Sequence, residues 1–176
     1  IGDAIPTMGA LAKFNISHNS LRRQGAKAGA AALQGNEIRT ELNISNNQMW
    51  WSDTSGVVAI ADAIPTMGAL TNLHVGNNNI PIENMNEIIA IVEAKPAMKI
   101  LCAVPFRDKM ITELDVSGQS LGVEGAVVIR RYLENNGALT SLDISNNHVG
   151  SCGVWCGKCV LDVAPNFRET HREVKP

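Results

Sequence analysis

The chain has 176 residues, 45% of them hydrophobic, with 15 Lys+Arg against 17 Asp+Glu. That length supports one cooperative core, and the near balance of charge excludes the basic footprint of a nucleic-acid binder. Aromatic residues are only 4%, so the core has to be built from aliphatic side chains, and no apolar run reaches the ~20 residues of a membrane span.

In chain order, residues 1–11 (IGDAIPTMGAL) and 60–70 (IADAIPTMGAL) agree at ten of eleven positions, the mark of an internal duplication. Each copy is followed by an alternating apolar segment: LAKFNISHNSL at 11–21 and LTNLHVGNNNI at 70–80. Related segments are TELNISNNQM (40–49), ITELDVSGQSL (111–121) and LTSLDISNNHV (139–149). Alternation turns Phe14, Leu42, Leu73, Leu114 and Leu142 to one side of five short strands. These residues are 28, 31, 41 and 28 positions apart. The long step contains a worn strand at 98–103, which divides it into 28 and 13 residues. Thirteen residues cannot hold a helix, so the Leu101 and Leu114 strands are expected to be neighbours joined by a plain loop through Val104–Lys109. Apolar residues at three- and four-residue spacing predict helices over Gln24–Leu33, Gly56–Ile64, Ile82–Ala94 and Gly122–Asn135. Pro65 is placed to stop the second of them.

The shared phrase LxxLxLxxNxL resembles the leucine-rich repeat, and GALTSL and its relatives resemble the ribonuclease-inhibitor-like class. That resemblance implies an α/β fold: a right-handed α/β solenoid, a horseshoe segment with parallel strands on the concave face and helices on the convex face. The solenoid is expected over 1–150, with a divergent cap or tail over 151–176. Its first strand has no polar cap, so further repeats are expected upstream of Ile1. The asparagines Asn19, Asn47, Asn78 and Asn147 form an expected structural ladder. Their amides both donate and accept, and so can satisfy backbone groups where the chain leaves each strand.

The resemblance implies a protein–protein interaction scaffold with a protein partner held on the concave sheet face. Asn15, Glu41, Asn43, His74, Glu113, Asp115 and Asp143 are the candidate binding residues. One column, Asn15, Asn43, His74, Cys102, Asp115 and Asp143, ends acidic and would steer a basic surface. The alternatives implied are a Ran-type GTPase-activating regulator and the sensing region of a NOD-like receptor or larger enzyme. Trp50 and Trp51, just past a turn, are either anchors or residues packed under a loop.

No catalytic residue or cofactor is expected. The chain has no P-loop and no G-x-G-x-x-G or G-x-S-x-G motif. His148, Cys152, Cys156 and Cys159 have zinc-ligand residue types. On one helix they would span ~16 Å, beyond the reach of a single ion, so no metal is assigned. The lack of a spread disulfide framework and of a visible signal peptide points to a cytoplasmic protein with neither membrane nor nucleic-acid partner.

Overall fold

Six very short strands and four helices make up the described residues, 10–49 and 53–149, of the computed structural model. Strand β1 (Lys13–Asn15), helix α1 (Arg22–Leu33), β2 (Glu41–Asn43), α2 (Ser55–Ala63), β3 (Asn72–His74), α3 (Ile82–Ala94) and β4 (Ile100–Leu101) come first. Then follow β5 (Glu113–Asp115), α4 (Gly122–Leu133) and β6 (Ser141–Asp143). Strands β1 to β4 pair in parallel in sequence order, and β5 pairs in parallel with β6 in a second sheet.

The alternating residues explain the layers. Phe14 pairs with Leu42, Leu42 with Leu73, and Leu73 with Leu101. Leu42, Leu73 and Leu101 are buried, and so are Ile44 and Val75 two residues on, whereas Phe14 and Ile16 at the sheet's outer edge are only half-buried. The helices cover this side. Ala26 and Ala30 of α1 lie in one core with Val57 and Ile60 of α2 and with Met85, Ile88 and Val92 of α3. Each such burial stabilises the fold by about 1.5–3 kcal/mol for a large aliphatic side chain. Pro65 lies in a single 3-10 turn, Ile64–Thr66, that ends the second helical stretch.

The horseshoe expected from the sequence pattern is not the architecture of this chain. The protein is a compact mixed α/β domain with two separate small sheets, of four and two strands, and no unbroken succession of strand–helix units. The break occurs after β4. Leu101 and Val104 exchange two backbone hydrogen bonds, at 3.0 and 2.9 Å, across a turn in which Cys102 and Ala103 take positive φ values of 48° and 62°. This reversal ends β4 after two residues and directs the chain away from the sheet edge. Leu114 therefore does not pair with Leu101, and β5 starts a new sheet. The expectation of further repeats ahead of Ile1 falls with the array it would have continued; residues 1–9 lie outside the described part, as do Trp50, Trp51, Cys152, Cys156 and Cys159.

A buried carboxylate joins the two sheets. Where the chain leaves the strands, Asn47 Oδ1 accepts the N–H groups of Asn19 and Leu21, and Asn78 Oδ1 accepts that of Asn47. The next acceptor in the row is not Gln119, whose amide donates only to the Ser117 carbonyl. It is Glu124 on α4: Oε1 accepts from the N–H groups of Asn78 at 3.0 Å and Ile80 at 2.7 Å, and Oε2 from that of Asn77 at 3.0 Å. On the far side Asn147 Oδ1 accepts from Leu121. The asparagine amides donate back to strand-end carbonyls: Asn19 to Ile16, Asn47 to Ile44, Asn78 to Val75 and Asn147 to Ile144. Two glycines allow the close approach. A Cβ on Gly76 would lie 2.4 Å from the Ser120 carbonyl, and one on Gly122, at φ +58°, would lie 2.7 Å from the Asn77 backbone.

Replacing Glu124 by Gln exchanges one acceptor oxygen for a donor that faces a backbone N–H. We expect Glu124→Gln to cost about 1–3 kcal/mol and Glu124→Ala, which strands the N–H groups of Asn78 and Ile80 and leaves Asn77 only the Leu121 carbonyl, to cost more. Urea unfolding measures both. A loss below about 0.5 kcal/mol in Glu124→Ala would show that these bonds contribute little.

Candidate functional site

The sequence-predicted binding residues are divided between the two sheets. Asn15, Asn43 and His74 lie on the four-stranded sheet, whereas Asp115 and Asp143 lie on the two-stranded one. Cys102, which would have linked them, is fully buried, and burial pushes its thiol up to about 12. The other five residues of the proposed column instead each close their own turn. Asn15 accepts the Ser17 N–H at 2.9 Å, Asn43 that of Ser45 at 3.0 Å, and His74 Nδ1 that of Gly76 at 3.3 Å. Asp115 accepts from Ser117 at 2.9 Å and Asp143 from Ser145 at 2.8 Å. These backbone bonds hold the Asp115 carboxyl below its ordinary range. Glu41 pairs with Lys13 at 2.7 Å, and Glu113 is exposed on β5. The concave-face partner site, and with it the GTPase-activating and receptor-sensing readings, are therefore set aside, since the repeat architecture they require is absent.

The structure places a different group of side chains together. A cleft of about 490 Å3 opens between the C-terminal ends of α3 and α4 and the loop that leads from β4 to β5. The loop contributes Phe106, Arg107 and Lys109; α3 contributes Glu93; α4 contributes Arg131 and Tyr132, with Asn135 just beyond it. Three cations thus face one carboxylate.

Arg107 is fixed by backbone carbonyls at the C-terminal end of α3 and just beyond it. Its Nε donates to the Met98 carbonyl at 2.6 Å, and Nη2 donates to those of Lys95 at 2.8 Å and Glu93 at 3.0 Å. A helix's last carbonyls have no intrahelical partner and carry the negative end of its dipole, so a guanidinium suits this position. The same guanidinium lies 5.0 Å from the Phe106 ring centre, a favourable cation–π distance. Arg131 reaches Glu93 with two bonds, from Nε at 3.1 Å and Nη2 at 3.3 Å, and this partner raises its pKa. Both side chains are roughly half exposed, so the pair adds little stability.

Tyr132 forms the floor. Its hydroxyl donates to the Asp108 carbonyl at 2.9 Å and accepts from the Asn136 amide. Burial, more than any neighbouring charge, raises the phenol above its ordinary value, so it stays neutral near pH 7 and ties the loop to α4. Lys109 is exposed at the rim.

The sequence reading treated Val104–Lys109 as a plain connection and missed this site. The available signal was an aromatic and two cations, Phe106, Arg107 and Lys109, in a connection expected to be short and featureless. No known protein-family model matches the chain, and no curated protein is significantly similar to it. Among the described residues no group of three or more His, Cys, Asp or Glu side chains could hold a metal ion.

Removing the Arg107 guanidinium frees several helix-end carbonyls and the loop together. We expect Arg107→Ala to lower stability by about 1–2 kcal/mol, within the range for charge-assisted hydrogen bonds at a partly exposed site. Arg107→Lys would recover only part of it, because one ammonium cannot reproduce the fork. Chemical denaturation of both variants tests this; equal stability of Arg107→Ala and wild type would contradict the capping role.

Proposed function

We propose that this chain is a non-catalytic binding domain that holds a small anionic ligand, bearing a phosphate or carboxylate group, in the cleft between α3 and α4. One observation carries the reading: Arg107, Lys109 and Arg131 converge on a single cleft opposite Glu93 alone, in a chain whose net charge is −2. A local positive site on a mildly acidic chain concentrates anions against the overall charge.

The chemistry assigns separate roles. Arg131 presents a planar fork that suits a carboxylate or phosphate and already holds Glu93 in that way. A ligand anion would compete with Glu93 for that fork. Lys109 supplies a mobile point charge at the rim. Phe106 and the Tyr132 ring give an apolar wall for the body of the ligand. Arg107 is engaged by backbone carbonyls and contributes mainly its field. A cytoplasmic setting suits the unpaired, buried thiol of Cys102. No described helix is long and apolar enough to cross a membrane.

Phenyl phosphate is a suitable probe, with inorganic phosphate and phenol as partial mimics. We expect phenyl phosphate to shift the amide resonances of Phe106, Lys109 and Arg131, with phosphate weaker and phenol inert. Lys109→Glu and Arg131→Glu should each weaken binding at least tenfold, on the order of 1.4 kcal/mol, and added salt should weaken it further. Unshifted cleft resonances at millimolar phenyl phosphate, or equal binding by both variants, would remove the proposal.

A further inference from the structure

The two sheets meet where the loop after β3 packs against the loop after β5, and a histidine spans that junction. His74 Nε2 lies 2.6 Å from the Gln119 carbonyl, and the Gly76 N–H donates to His74 Nδ1 at 3.3 Å. A carbonyl can only accept and an amide N–H can only donate. The ring is therefore the neutral tautomer with its proton on Nε2. Both ring nitrogens are committed, one to each sheet's loop. In the other strand-end turns the equivalent acceptors belong to Asn15, Asn43, Asp115 and Asp143. Of these side-chain types only the imidazole can both accept at one ring nitrogen and take up a proton there to become a donor at both.

We propose that His74 is a pH-operated latch between the two sheets, closed while its ring is neutral and opened when a proton on Nδ1 displaces the Gly76 N–H. Protonation sets two donors face to face at Nδ1. The loop 75–79 then loses one of its ties, the bonds of Asn77 and Asn78 to Glu124 remaining, and the contact with Gln119 and Ser120 loosens. Gly76 has no spare room in which to relax, since a Cβ there would already meet the Ser120 carbonyl and the His74 ring. The shift must therefore be taken up by the two loops moving apart.

The elements packed around the junction supply few competing charges. Asn43 stands opposite His74 on β2, Gln119 and Ser120 come from the loop after β5, and the neutral Cys102 thiol follows β4. Glu124 of α4 lies against Asn77 and Asn78. Burial lowers the His74 pKa below 6.5, although the Gln119 carbonyl opposes this. A depressed histidine is bound to more protons when unfolded, so closure is favoured more as pH rises through the window below about 6.5, and is lost as pH falls through the folded value. Glu124 has the opposite sign. Burial raises it above 4.5 despite its three N–H donors, so its contribution falls as pH rises through the window above 4.5.

The test combines NMR titration of the His74 ring with amide hydrogen exchange, using wild type and His74→Gln, whose amide can donate to Gln119 but does not titrate. In wild type we expect an Nε2–H tautomer at pH 7.5. Protection of the Gly76 and Asn77 amides, corrected for intrinsic exchange, should fall at least tenfold as the ring titrates. Leu42 and Leu73 amides should be unchanged. In His74→Gln the step should vanish. Ring titration without a change at Gly76 and Asn77 would overturn the latch, as would the same step in His74→Gln. Should that variant fail to fold, the wild-type comparison of Gly76 and Asn77 with Leu42 and Leu73 decides the matter alone.

Discussion

A buried carboxylate is the main polar link across the place where this domain's regular architecture is interrupted, beside the bonds from His74 to the Gln119 carbonyl and from Asn77 to the Leu121 carbonyl. Glu124 satisfies three backbone N–H groups of the loop after β3 from a helix that belongs to the second sheet. Buried N–H groups without partners are costly, and the segment that follows β4, residues 102–112, contains no asparagine to serve them. Glu124 thereby substitutes for a missing side chain of the neighbouring turn and makes the second sheet dependent on the first. The desolvation of a carboxyl group opposes this arrangement; the three N–H donors and the neighbouring packing of Leu121, Ala126 and Ile129 offset it.

Much of the local structure was legible in the sequence because it depends on short-range periodicity. Leu42, Leu73, Leu114 and Leu142 are central residues of strands, and the helical spacing over Ile82–Ala94 matches α3 at both ends. The extension from local units to a horseshoe failed, for a specific reason. The thirteen-residue step from Leu101 to Leu114 was read as a loop joining two neighbouring strands. Its outcome depends on positive φ angles at Cys102 and Ala103, which neither residue type signals, since alanine rarely adopts that region. A two-residue reversal thus converts an expected continuous sheet into two.

The candidate site was illegible for a related reason. Its residues come from the same misread connection and from two helix ends, Glu93 and Arg131, that lie 38 positions apart in sequence. No motif spacing could join them. The proposed concave-face residues, by contrast, were conspicuous in the sequence because they recur in register. Their recurrence is accounted for by local chemistry: Asn15, Asn43, His74, Asp115 and Asp143 all accept the N–H two residues on. Periodic polar residues at strand ends are thus explained by turn geometry before any partner is invoked.

The central claim is that Glu124 binds the two sheets into one cooperative unit. Native-state hydrogen exchange across increasing, sub-denaturing urea tests it most directly, by comparing the slowest amides of β2 and β3 with those of β5 and α4. The two sets are predicted to share one opening free energy and one urea dependence. A separate, lower-energy opening confined to residues 113–149 would contradict it, for the second sheet would then unfold without disturbing the first.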